Sequence, residues 1–314
     1  MKKLLYILGG LFVVLLLVGG GFAFYLYNSV QSTVNSEMHV GLDRDKPDSR
    51  DSEVDMDNRE PTSFLLMGVD AEESTSGRTD TIMVVTVNPE DESMRMLSLP
   101  RDTRMELPGR GEDKVNHAHA FGGADLALET VENFLDIPLD YFITVNMSGF
   151  QDMVDAVGGV TVENNFSFEQ NDHYFQEGEV DLDGEEALAY VRMRKNDPDG
   201  DFGRNERQRQ IVNAMVREGA QFSSITRVED ILDAVGGNVV TNLDFEKMRK
   251  LQSNYSDTLS DQQTLDIDGH GETINGVWYY QVTDEERQRL RDEFRTHLNL
   301  ENEVAVNGED EDES

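Results

Sequence analysis

Apolar and polar positions fall into two regimes along this chain. An almost unbroken apolar run extends from Leu4 to Tyr27. At ~1.5 Å rise per residue, a helix of that run reaches across the ~30 Å hydrocarbon core of a bilayer. Residues 28–61 are polar and acidic, and read as a juxtamembrane linker with some helical potential. Beyond them the period shortens. Ser63–Val69, Thr81–Val87 and Met94–Leu99 are strand-like, and Asn88-Pro89-Glu90-Asp91 forms a turn between the last two. Leu126, Leu128, Val131 and Leu135 predict a helix over Ala124–Leu135. A strand follows at Tyr141–Val145, then a helix at Gly149–Val157 stopped by Gly158-Gly159, and a strand at Val160–Val162. Glu185–Tyr190 reads as a helix giving way to Val191–Arg194, before a long helix from about Arg204 to Phe222. Helices at Glu229–Val235 and Phe245–Tyr255, strands at Gln263–Ile267 and Val277–Val282, and a charged helix at Asp284–His297 complete the pattern. Strands alternating with helices imply an α/β fold: one layered α-β-α domain over residues 62–300 with a mixed central sheet, preceded by one N-terminal transmembrane helix. Residues 301–314 read as an acidic, disordered tail.

The flanks of the first apolar run orient it. Lys2 and Lys3 precede it, while Glu37, Asp43 and Asp45 follow. The positive-inside rule keeps residues 1–3 in the cytoplasm and exports the rest. A cleaved signal peptide has a shorter apolar core ending in a small-x-small site. Here the run continues through Gly19-Gly20-Gly21 into aromatic residues, which favours an uncleaved signal-anchor. The expected location is therefore the cell membrane, single-pass, with an extracellular catalytic domain. Such a topology excludes direct use of cytoplasmic ATP, so the energy for any synthesis arrives in the substrate.

Charge narrows the partners. Among 314 residues, Asp and Glu number 63 against 27 Lys and Arg, a formal net charge of -36. Nucleic acid is not an expected partner, because its binding depends on neutralising phosphates. The chain has no cysteine, which removes disulfides, thiolate chemistry and Cys-type zinc sites.

Against that acidic background, charged residues collect at strand ends. Asp70 closes Gly68-Val69-Asp70, and Asp80 closes Gly77-Arg78-Thr79-Asp80. If the two strands pair, the carboxylates converge at one sheet edge and suit Mg²⁺, which seldom takes a full cage of protein ligands. The bland alternative is a pair of turn-capping aspartates. Pro100 marks the end of the third strand and turns Arg101-Asp102 outward. The densest basic cluster holds Arg192, Arg194, Asp201, Arg204, Arg207 and Gln208. Arg192 and Arg194 share a face if extended. Arg204, Arg207 and Gln208 share one on a helix, whose N-terminus adds an anion-friendly dipole. Guanidinium groups fork onto phosphate oxygens without losing charge, so the cluster describes a pyrophosphate cradle. The competing reading pairs these arginines with surface acids. His117 and His119 suggest zinc only weakly, since no third ligand stands at a suitable spacing. Ile211 and Val212 either line a lipid groove or belong to the core.

The segments Phe-Leu-Leu-Met-Gly-Val-Asp, Gly-Arg-Thr-Asp-Thr-Ile-Met, Ser-Leu-Pro-Arg-Asp-Thr, Lys-Val-Asn-His-Ala, Ala-Leu-Ala-Tyr-Val-Arg-Met-Arg and Asp-Phe-Gly-Arg-Asn-Glu-Arg-Gln-Arg-Gln occur in the order seen in the LytR-CpsA-Psr family. The resemblance covers about Ser63 to Phe222. It implies a Mg²⁺-dependent phosphotransferase (Mn²⁺ being an alternative) that moves a teichoic acid or similar glycopolymer from a polyprenyl-pyrophosphate carrier to a peptidoglycan N-acetylmuramic acid hydroxyl. The implied partners are that lipid-linked glycopolymer, peptidoglycan and the cytoplasmic membrane. Carried over by motif, Asp70 and Asp80 are expected metal ligands. Arg78, Arg101, Arg192, Arg194 and Arg204 are expected catalytic phosphate-clamp residues, supported by Asp201, Arg207 and Gln208. The proton acceptor is left open between Asp102, Asp201 and the metal acting alone. One rival reading keeps the site with water as the acceptor, a polyprenyl-pyrophosphate hydrolase; the other is a non-enzymatic wall-polymer binding or regulatory protein, which would not need the carboxylate pair.

Overall fold

The computed structural model describes residues 31–300 except 33, 45, 195–196 and 221–235. The transmembrane helix expected at 4–27, the helix expected at Glu229–Val235 and the 301–314 tail lie outside the described residues. Among the described residues, no helix is long and apolar enough to cross a membrane.

The first strands arise where β-branched and large apolar residues alternate between two buried faces. They are β1 (Thr62–Val69), β2 (Thr79–Asn88) and β3 (Ser93–Ser98). A small hairpin, β4 (Arg104–Leu107) and β5 (Gly111–Lys114), leads into helix α1 (Asn116–Leu135). Next come β6 (Tyr141–Val145), α2 (Met147–Ala156) and β7 (Val160–Asn164). A hairpin of β8 (Phe168–Gln170) and β9 (His173–Phe175) precedes β10 (Gly178–Leu182). Helices α3 (Gly184–Arg192) and α4 (Asp201–Ala220) follow. The chain ends with β11 (Val239–Thr241), α5 (Phe245–Asn254), β12 (Asp261–Leu265), the hairpin β13 (His270–Ile274) and β14 (Val277–Gln281), and α6 (Asp284–His297).

The central sheet has six strands in the order β11-β6-β1-β2-β3-β12. β1 runs parallel to β6 and antiparallel to β2, so the expected mixed α/β sheet is present. Residue parity along β1 sorts the two layers. Leu65 and Met67 join Leu128, Val131 and Leu135 of α1 and Leu290 and Phe294 of α6 on one face. Phe64 joins Met83, Val85, Leu243 and Tyr255 on the other. A further cluster ties α2, β7, α3 and α4 together through Val154, Val160, Tyr190 and Ile211.

Two segments differ from their sequence expectation. Residues 34–61, expected as a linker, pack on the domain. Val34 and Met38 are buried against Val239 and Phe245, Arg44 pairs with Glu132 at 2.5 Å, and Arg50 pairs with Asp140 at 2.5 Å. The helix expected over Ala124–Leu135 is present, and a short helical segment from Asn116 precedes it, set off by the non-helical backbone of Gly122 and Gly123, where Gly123 has φ +65°.

Candidate active site

β1 and β3 run one way and β2 the other, so the end of β1, the start of β2 and the end of β3 meet at one margin of the sheet. This topology brings Asp70, Asp80 and Arg101 together. The β1–β2 register slips between Gly68 and Val69, and the Asp70 N–H donates to the Arg78 carbonyl at 3.4 Å. Arg101 Nη1 donates to Asp80 Oδ2 at 2.8 Å, and Arg101 Nε lies 3.7 Å from Asp102 Oδ2. Lys114 Nζ contacts the other Asp102 oxygen at 2.6 Å. Arg192 Nη2, from the last turn of α3, lies 3.5 Å from Asp70 Oδ1.

These residues surround a polar cavity of about 580 Å³, lined by Asp70, Arg78, Asp80, Arg101, Asp102 and Lys114 among others. Asp70 and Asp80 also stand at the mouth of a second cavity of about 480 Å³ with a mainly apolar lining. That groove runs between the sheet, through Leu66, Ile143 and Val145, and the helices, through Phe150 and Met153 of α2, Leu188 of α3 and Val212 of α4. Ile211 is fully buried in the core while Val212 faces the groove, so the two neighbours divide the roles that the sequence left open. Gln208 lines the groove close to Arg192.

Arg194 and Arg204 complete the charge pattern. α3 ends at Arg192, and Met193 is extended and buried between exposed Arg192 and Arg194. Arg204 is buried, donates to Asp201 Oδ2 at 3.0 Å, and has no partner for Nε. Burial lowers the Arg204 pKa; Asp201 and Asp80 resist, while Arg101 and Arg194 push the same way as burial. Burial also acts to lower the Arg101 pKa, but the Asp80 hydrogen bond and the charges of Asp80, Asp102 and Asp201 outweigh it and raise the value. Arg204 thus feels the charge of both Arg101 and Arg194. Arg78 and Arg194 are exposed and make no ion pair among the described residues. A multiply charged anion answers this arrangement.

Arg207 does not join the clamp. Its Nη1 pairs with buried Asp197 at 2.5 Å, and its other nitrogens donate to the Tyr190 carbonyl (3.1 Å) and the Met193 carbonyl. All its forks are committed to holding the end of α3 against α4. Gly203 permits this, because a Cβ there would overlap the Asp197 carboxylate. The expected phosphate role of Arg207 is therefore corrected to a buried strut.

The two histidines do not form a zinc pair. His117 Nδ1 contacts Asp113 at 2.9 Å, and His119 Nδ1 contacts the Gly77 carbonyl at 3.0 Å. Burial pushes the His119 pKa down, so it stays neutral and pins the loop carrying Arg78. Among the described residues, no group of three or more His, Asp or Glu side chains gathers as a metal cage. Asp70 and Asp80, which share the polar cavity beside Arg192 and Arg101, are the carboxylates that would hold a Mg²⁺, an ion that seldom takes a full cage of protein ligands. Lys114 and Asn116 also line this cavity, and sequence reasoning assigned them no role. Their signal was present in the Lys-Val-Asn-His-Ala segment.

The LytR_cpsA_psr family profile matches residues 24–296. A protein of Halalkalibacterium halodurans named polyisoprenyl-teichoic acid–peptidoglycan teichoic acid transferase TagU is 52% identical over 304 residues, covering 96% of this chain and 100% of that protein. The crystal structure of B. subtilis TagU is similar with a TM-score of 0.63 at 42% identity, over 78% of this chain and 99% of that one. A solved structure described as TagT bound to LI-WTA has a TM-score of 0.72 at 32% identity, over 83% of this chain and 100% of that one.

Proposed function

The chain belongs to the LytR_cpsA_psr family, and from that premise we propose that it is a Mg²⁺-dependent phosphotransferase. It moves a teichoic acid or similar glycopolymer from a polyprenyl-pyrophosphate carrier to a hydroxyl of peptidoglycan N-acetylmuramic acid. The observation that carries this reading is the junction of two cavities. An apolar groove suited to a polyprenyl chain opens on Asp70, Asp80 and Arg192, beside a polar cavity suited to a pyrophosphate. The membrane anchor at 4–27 and the extracellular location belong to the same proposal, since the lipid-linked donor resides in the membrane.

The chemistry follows from charge placement. The acceptor oxygen attacks the sugar-proximal phosphorus, the phosphoanhydride bond breaks, and polyprenyl phosphate leaves with the bonding electron pair. Arg101, Arg194 and Arg204 balance the charge on the attacked phosphate, and Arg78 and Arg192 reach it from the cavity rim. Asp70 and Asp80 would hold Mg²⁺, which would offset further phosphate charge. Asp102 receives the acceptor proton in this scheme. It lines the polar cavity with Asp70 and Asp80, whereas Asp201 is not among that cavity's lining residues. Lys114 holds Asp102 in place.

The test uses the full-length protein in detergent with Mg²⁺, a synthetic polyprenyl-pyrophosphate disaccharide and a soluble peptidoglycan oligosaccharide. A phosphodiester-linked adduct by mass spectrometry is expected. It should disappear with EDTA and return with Mg²⁺; turnover indifferent to chelation sinks the metal assignment. Free sugar phosphate without adduct indicates a hydrolase, and unchanged donor indicates a binding protein.

A further inference from the structure

The C-terminal end of α3 has open space on two sides. One side is the apolar groove. The other is a separate cavity of about 260 Å³, lined by Glu72, Gln151, Asn171, His173, Glu185 and Arg192 among others. The two cavities share Met147, Leu188 and Arg192, so the side chain that reaches Asp70 is the partition between them. We infer that this smaller cavity is the acceptor subsite, taking a hydroxyl- and amine-bearing portion of peptidoglycan and presenting it at the Asp70 margin. The inference rests on the transferase reading and adds the place of the second substrate.

Charge separates the two polar cavities. Arg78, Arg101 and Lys114 line the larger one. The smaller one carries Glu72 and Glu185, and its guanidinium, Arg192, already faces Asp70. A phosphate-rich chain is disfavoured there, while hydroxyls and ammonium groups find acceptors. The volume lies below the ~300–1,000 Å³ of pockets that enclose whole drug-sized ligands, so it suits one sugar ring or a short peptide branch.

The walls are held in place. His173 follows Asn171 and Asp172, whose positive φ values of 51° and 65° turn the β8–β9 hairpin. The His173 ring packs 6.2 Å from Phe175, and its Nε2 lies 3.6 Å from Glu185. On the opposite wall, Gly184 lets α3 start against the Gln151 carbonyl, where a Cβ would overlap it. The side chains of Glu72, Ser148 and Gln151 make no hydrogen bond to another described residue, leaving donors and acceptors for a ligand.

The experiment compares full-length wild type with Gln151→Ala and His173→Ala, singly and together. The first lies on α2 and the second on the hairpin, so one local misfolding cannot produce both results. The probe is a soluble peptidoglycan oligosaccharide with its stem peptides. Its KM is expected to rise about thirtyfold in the double variant, as for the loss of two hydrogen bonds of ~1 kcal/mol each. Donor KM and thermal midpoint should stay near wild type, and calorimetric titration of the oligosaccharide alone should weaken in parallel. Unchanged acceptor KM and affinity overturn the inference. A rise in donor KM alone also overturns it, assigning the cavity to the donor's sugars. If wild type forms no adduct, the transferase reading fails, while the titration still decides whether the oligosaccharide occupies this cavity.

Discussion

The two faces of the central sheet use similar residues to opposite ends. On the α1–α6 face, Leu65, Leu97, Leu128, Leu135 and Leu290 are fully buried, and the layer is closed. Its buried histidine is engaged at both ring nitrogens. His297 is held by Thr86 at 2.7 Å and Ser93 at 2.9 Å, while Asn88 donates to the His297 carbonyl at 2.8 Å. On the other face, Ile143 and Val145 look across open space at Phe150, Met153 and Val212. Apolar walls that do not touch forgo dispersion contacts and leave surface unpaired. A fold able to close one face completely leaves the other open where α2, α3 and α4 stand off the sheet, next to Asp70, Asp80 and Arg192. An unfilled apolar channel is thus a better guide to function here than any single charged residue.

Five variants test this contrast, from the largest effect to the smallest. Asp80→Asn and Arg101→Ala strike the mouth of the open face. Each should slow adduct formation by ~10²–10³-fold or more, as for removal of a preorganised electrostatic contact. Thermal midpoints should hold, and a near wild-type rate removes that residue from the site. Arg207→Ala should instead destabilise the protein by ~3–5 kcal/mol, because it strands the buried Asp197 carboxylate. Urea unfolding checks this, and a loss of unfolding free energy under ~1 kcal/mol contradicts the strut role.

The closed face should respond to acid. Burial, with Arg95 adding to it, pushes the His297 pKa down to about 4, below the ~6.5 of an unfolded histidine. The unfolded chain therefore binds more protons between those values. The contribution of His297 is complete above pH ~6.5 and lost as pH falls toward its folded pKa, a change on the order of 2–3 kcal/mol. His297→Gln should flatten the stability–pH curve in that window; an unchanged slope refutes the assignment. On the open face, Val212→Trp should fill the groove. Its expected signature is about a tenfold rise in KM for a long-chain donor, with little change for a short-chain analogue, since each buried CH₂ contributes ~0.8 kcal/mol.

Much of the fold was legible. Tyr141–Val145 and Asp284–His297 match their predicted limits, because the first is a run of aromatic and β-branched residues and the second has Thr283 as N-cap before an acidic first turn. The hairpins were not legible: β5 reads Gly-Glu-Asp-Lys, with no alternation to mark it. The packing of residues 34–61 was also hidden, since Arg44–Glu132 and Arg50–Asp140 are ion pairs between positions distant in sequence. Motif order located the carboxylates and most of the arginines. It could not separate Arg204 from Arg207, both buried and one helical turn apart, because the difference lies in where the loop places Asp197. The groove wall on α2 looked like any amphipathic helix, and only the standoff of α4 shows that it faces a void.

The docking of Val34 and Met38 has a mechanical consequence. Their cluster includes Ile143, Val145 and Met153, which also line the groove, so the chain enters the domain beside that channel. On the proposal that residues 4–27 cross the membrane, the leash is attached next to the port it serves. Such an attachment restrains the pose of the domain as well as its height. A donor diffusing in the plane of the bilayer then meets the groove after a two-dimensional search, and the far side of the domain stays turned toward the wall.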